Sequence, residues 1–133
     1  MNQERLEMLD EYLKPGMPPV LLENIPARVF KNAIVIESNC DVSLLNGYYE
    51  EAEFKAPKWY EELIKLSESN HPILLINEIN SIPPSEQNKF IEILKYRKVS
   101  TFDLPKNCTI VVTSFDLKNK PISEEIYSLV AQV

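Results

Sequence analysis

The residue types that most often do chemistry are sparse in this sequence. There is one histidine, His71, and it stands before Pro72 with no second histidine or cysteine nearby to complete a metal site. The two cysteines, Cys40 and Cys108, are far apart and lack C-x-x-C spacing, so they read as buried free thiols. No nucleophile elbow is present. A phosphate-binding loop needs glycines, so that backbone amides can approach the phosphates, and a lysine followed by Ser or Thr. The only glycines are Gly16 and Gly47, neither followed by lysine, and none of the eleven lysines precedes Ser or Thr. What remains is a polar cluster, Asn77, Glu78 and Asn80, directly after the apolar run Ile73-Leu74-Leu75-Ile76, with Arg97 further on.

Positioning that cluster requires a series of elements. Leu6, Leu9 and Leu13 share a face of a predicted helix over 2–13, which Pro15-Gly16 and Pro18-Pro19 end. Val20–Leu22 is a short apolar run, and the β-branched stretch Ala33–Glu37 predicts a strand. Residues 38–56 read as irregular. Pro57 opens a helix to about Ser69, with Trp59, Leu63 and Leu66 on one face. Ile73–Ile76 has the continuous apolarity of an interior parallel strand. Pro83-Pro84 starts a helix that ends near Arg97, with Phe90, Ile91 and Leu94 as its buried stripe. A small hairpin over 99–104 and a strand over 108–113 follow, and Ser123 caps a last helix ahead of Glu124 and Glu125. Strands alternating with helices predict one α/β domain over 1–133. Its expected core is a three-layer parallel sheet of about four to five strands with helices on both faces. Ile73–Ile76 should be central in that sheet, with Ile110–Thr113 beside it.

Composition narrows the function classes. At 133 residues the chain can bury a single core without metal or disulfide. Hydrophobic residues make up 44% and charged residues 26%, which describes a globular protein. A net charge of −6 repels phosphate backbones and anionic lipid, so neither nucleic acid nor membrane is an expected partner. The carboxylates cluster at Glu50, Glu51, Glu53 and at Glu61, Glu62, as solvated faces do. Without a long apolar run or a signal-peptide core, the expected compartment is the cytoplasm.

The segment from His71 to Asp116 carries a resemblance. Asn77-Glu78-Ile79-Asn80, then Ile82-Pro83-Pro84, Gln87-Asn88 and Ile91-Glu92, is similar to the "DEIN…PP…QN…LLE" stretch of AAA+ ATPases. Tyr96-Arg97-Lys98-Val99 resembles the "ERRV" that opens a hairpin in the MoxR-like and McrB-like members. Leu104-Pro105 and Ile110–Ser114 resemble the next strand and its sensor-1 end, and Leu44–Tyr49 the loop after the second strand. The resemblance covers residues 33–127 and is densest over 72–114. It implies a truncated P-loop NTPase core in which Asn77 and Glu78 occupy the Walker B pair. There an Asp helps to hold Mg²⁺ and a Glu polarises water.

The departures from that pattern decide the expected function. Val20–Arg28 resembles the family's "VLLEGPPGTG" with every glycine replaced, and strand-like residues resume at Ala33, leaving no room for the phosphate-binding helix. Asn77 removes a charge from a hard-cation site. Phe115 stands where the sensor-1 polar residue belongs, with Thr113 or Ser114 as stand-ins after a shift, and no lid domain is expected. The resemblance therefore implies a degenerate pseudo-ATPase with no nucleotide, cofactor or metal site. Glu78 and Asn77 are its vestigial catalytic candidates, and Arg97 is a candidate for contact with a neighbour. Its expected role is that of a regulatory or accessory subunit binding a protein partner, an AAA+ relative or itself. The alternatives are an ATPase component active only in a complex whose partner supplies the P-loop, and an unrelated small α/β ligand-binding domain.

Overall fold

A computed structural model of the chain describes residues 11–14 and 16–133. The elements follow in chain order as β1 (Val20–Glu23), β2 (Ala33–Glu37), α1 (Val42–Asn46), β3 (Tyr48–Glu50), β4 (Glu53–Lys55) and α2 (Lys58–Ser67). After these come β5 (Ile73–Asn77), α3 (Pro84–Gln87), α4 (Ile91–Tyr96), β6 (Lys98–Val99), β7 (Phe102–Asp103), β8 (Thr109–Ser114), α5 (Glu124–Leu129) and β9 (Ala131–Gln132). Five strands form a parallel sheet in the order β2-β5-β8-β1-β9, so the protein is α/β. β5 is interior and β8 takes the middle place beside it. Leu74, Leu75, Ile76, Ile110, Val111 and Val112 are all fully buried, as interior strands of a parallel sheet require.

The two sheet faces differ in cover. One carries Leu21, Ile36, Leu74, Ile76, Ile110 and Val112, packed against Leu63 of α2, Ile93 and Leu94 of α4 and Ile126 of α5. The other carries Val20, Leu22, Ile73, Leu75 and Val111. Among the described residues it is covered by the loop after β1, with its 3-10 turn Ala27–Val29, and by Tyr12 and Leu13. The predicted helix over 2–13, with Leu6 and Leu9, otherwise lies outside the described residues.

Three local expectations need correction. Residues 38–56 are not irregular: Leu45 anchors α1 in the core, and β3 and β4 form an antiparallel hairpin. The helix from Pro84 runs in three pieces, broken by a 3-10 turn at Asn88–Phe90. That offset turns Ile93 inward with Phe90 and Leu94 and leaves Ile91 half-buried. Ser123 does cap the last helix, its hydroxyl accepting from the Ile126 amide at 3.3 Å. Such a cap stabilises by about 1 kcal/mol.

Candidate functional site at the C-terminal edge of the sheet

β2, β5 and β8 end together, and their register places Glu37 beside Asn77. In a parallel sheet alternate residues share a face. Glu37, Asn77 and Thr113 therefore form a polar row on the face that carries Leu75 and Val111. The row is bonded throughout. The Asn77 amide donates to Glu37 Oε2 at 3.1 Å, and its Oδ1 accepts from Thr113 Oγ1 at 2.9 Å. Thr113 Oγ1 in turn accepts from the Glu78 amide at 2.8 Å. An asparagine suits this place because it donates from one end and accepts at the other. An aspartate would only accept, and would face Glu37 charge to charge.

Glu78 follows the strand in the left-handed region, at φ 49° and ψ 57°. That conformation costs a non-glycine residue about 1–2 kcal/mol. Two hydroxyls hold it there: Thr113 on the amide, and Ser38, which donates to the Glu78 carbonyl at 2.8 Å. Ser38 also shares a 2.6 Å bond with Ser81. The Glu78 side chain is exposed, and its carboxylate has no hydrogen-bond partner among the described residues. Thr113, one of the two stand-ins for a sensor-1 residue, thus touches both members of the Asn77-Glu78 pair. Ser114, the other stand-in, is 2% exposed, and its hydroxyl is unpartnered. Phe115 contributes its backbone, which pairs with Asn80.

The loop from Glu23 to Ala33 contains no glycine. The Asn24 amide donates to the Ser114 carbonyl at 2.8 Å, those of Val29 and Phe30 close the 3-10 turn, and Pro26 has none. Ile25 is buried against Val20 and Leu22.

Comparison with protein-family models finds none that matches, and comparison with curated proteins finds none either. The arrangement of the residues therefore carries the functional reading alone.

Two buried amides that looked like part of a nucleotide motif hold loops together. Asn80, 4% exposed, donates to the carbonyls of Phe115 and Lys120 and accepts from the Phe115 amide at 3.2 Å. Gln87, fully buried, donates to the carbonyls of Ile82 (2.9 Å) and Pro121 (3.0 Å) and accepts from the Ser123 amide at 2.8 Å. Each amide thus spends both of its donors and one acceptor site on backbone. The signal for this in the sequence is slight: two amides beside apolar positions.

Arg97, the candidate for contact with a neighbour, caps α4 in the left-handed region at φ 53°. Its Nη2 donates to the carbonyls of Pro105 (3.1 Å) and Cys108 (2.7 Å), so one end of the guanidinium is spent inside the chain. His71 lies at the opposite, N-terminal edge of the sheet, with Nε2 2.8 Å from Thr109 Oγ1. Thr109 gives its own proton to the Leu13 carbonyl, so Nε2 of His71 is the donor. Cys108 is buried and Cys40 half-buried, and both are free. Burial pushes the Cys108 thiol up to about 11, against a smaller opposing pull from Arg97. Burial raises Cys40 as well, with Lys89 opposing. Among the described residues no group of His, Cys, Asp and Glu could hold a metal ion, and no helix is long and apolar enough to cross a membrane.

Proposed function

We propose that this chain is a nucleotide-independent, AAA+-like α/β module that acts through protein contacts, as a regulatory or accessory subunit. The observation that carries the reading is the bond from Asn77 to Glu37. At the position where the resemblance puts a metal-holding carboxylate, the chain has an amide whose hydrogen is already committed to a neighbouring strand. The loop after β1 supports the same reading, because it has none of the glycines that let several backbone amides close round a phosphate.

A second reading is favoured by Glu78, whose carboxylate has no partner among the described residues and is held on a strained backbone at the sheet edge. In that reading a partner chain supplies the P-loop, and Glu78 acts on a water of the shared site. Both readings are tested by calorimetry of the full chain with Mg-ATP, paired with co-purification from its source cell with and without nucleotide. The first reading expects no saturable heat and the same partners in both conditions. Saturable heat from the chain alone overturns it. A partner that joins only with nucleotide transfers the argument to the second.

A further inference from the structure

Seven large hydrophobic side chains stand exposed among the described residues, and four of them lie between positions 42 and 49. α1 turns only Leu45 into the core, where the Leu45 carbonyl accepts from the Trp59 indole at 3.0 Å. Val42 and Leu44 are thereby left outward, at 55% and 66% exposure. The chain then passes through Gly47, at φ 109°, where any side chain would strike the Lys55 carbonyl and the Phe54 ring. This close approach fixes the hairpin β3–β4 against the end of α1. Tyr48 is exposed on the hairpin face it shares with Lys55, and Tyr49, 78% exposed and the most open of the seven, on the opposite face with Phe54.

The surface is backed by a rigid support. Tyr49 stacks on Phe54 with centroids 5.1 Å apart, Phe54 meets Phe102 edge-on at 6.0 Å, and Phe102 meets Tyr60 at 5.4 Å. Apolar side chains held out in water on a supported frame mark an interaction site, and supported tyrosines anchor interfaces at low cost in side-chain entropy. The rim is acidic. From Asp41 to Phe54 the chain carries Asp41, Glu50, Glu51 and Glu53 and no cationic side chain; of the lysines beside it, Lys55 is paired with Glu53 at 2.7 Å and Lys89 donates to the Cys40 carbonyl at 2.7 Å.

We propose that α1 and the β3–β4 hairpin form the docking surface for a segment of a partner protein that carries arginine or lysine side chains interleaved with apolar ones. The occupant follows from charge. A second copy docking face to face would set the same carboxylates against each other, and nucleic acid is repelled by them. Arginine suits the exposed tyrosines as well as the rim, since it stacks on aromatic faces while pairing with carboxylates. The proposal rests on the protein-contact reading above and names where that contact is made.

The test uses the full chain, isotope-labelled for NMR, and three short synthetic peptides of equal length that alternate Arg with Leu, Arg with Ser, and Glu with Leu. The Arg/Leu peptide is expected to shift the amide resonances of residues 41–54 saturably. Tyr49→Ser, or the pair Glu50→Lys and Glu51→Lys, should each weaken that binding by about tenfold. The side chains changed are all exposed, and thermal melts confirm that the variants fold. Should one fail to fold, the pattern of shifts in the unmodified chain decides. Equal binding of the Arg/Ser peptide, shifts centred elsewhere, or no binding overturns the proposal. So do concentration-dependent shifts of the same resonances without peptide, which would make the occupant a second copy. Saturable heat with Mg-ATP, by contrast, removes the nucleotide-independent reading and leaves the peptide result standing.

Discussion

Replacing Asn77 with aspartate removes the hydrogen that its amide donates to Glu37 and sets two carboxylates against each other across β2 and β5. The site is half-buried, so the lost bond costs about 1 kcal/mol. Repulsion adds to that in a site only partly open to screening. Asn77→Asp is therefore expected to lower the melting temperature. Mg-ATP should leave both melts unchanged, because a metal in such a site is held largely through bound phosphates and the loop after β1 lacks the glycines a phosphate cradle needs. A melting point that rises with Mg-ATP in the variant would mean that the substitution at this one position had disabled a working site. The sequence placed Asn77 and Glu78 together at a strand end. It did not show Glu37 as their neighbour, because that pairing depends on the register of a strand forty residues away, which no local pattern encodes.

Elements differ in how plainly their residues announce them, and the β3–β4 hairpin is the instructive case. Its two-residue connection, Glu51-Ala52, has φ of 50° and 68°, both positive, as in the turn that Asn-Gly favours. Neither residue suits that conformation, so the usual hairpin signal was absent and the segment read as irregular. The pair Tyr49 and Phe54 and the close approach at Gly47 hold the turn against its own preference. Replacing Glu51-Ala52 by Asn-Gly should relieve strain at both positions and raise stability by about 1–2 kcal/mol, read as a higher denaturant midpoint at unchanged slope. An unchanged or lower midpoint would show that the turn is not strained. β5 and β8 were legible for the opposite reason: apolar on both faces, they fit only the interior of a parallel sheet. β9 was not, since two residues at the end of a chain make no pattern, and their pairing with β1 supplies the reason for the strand.

In the molecule as a whole, the sheet order ties distant parts of the chain together. β1 lies between β8 and β9, so the earliest strand is paired on both sides only when the last two are in place. The loops at the C-terminal edge repeat this coupling through Gln87, which joins α3 to the segment leading into α5 by two bonds to backbone, with a third back to Ile82. Gln87→Met keeps the volume and removes all three bonds. It leaves the Ser123 amide and two carbonyls in a fully buried place without partners, since Gln87 has no exposure to water. An unsatisfied buried group costs about 1–3 kcal/mol, so the loss should exceed that of Asn77→Asp at the half-exposed edge. Because α5 precedes β9 and packs on α4, the damage is expected to spread through the sheet rather than stay in the loop. The expected outcome in denaturant is one cooperative transition at a lower midpoint, the same by circular dichroism and by fluorescence of the single tryptophan, Trp59. Two separated transitions, with Trp59 unfolding apart from the helical signal, would mean that the segment after β8 forms a unit of its own and that the clasp is local.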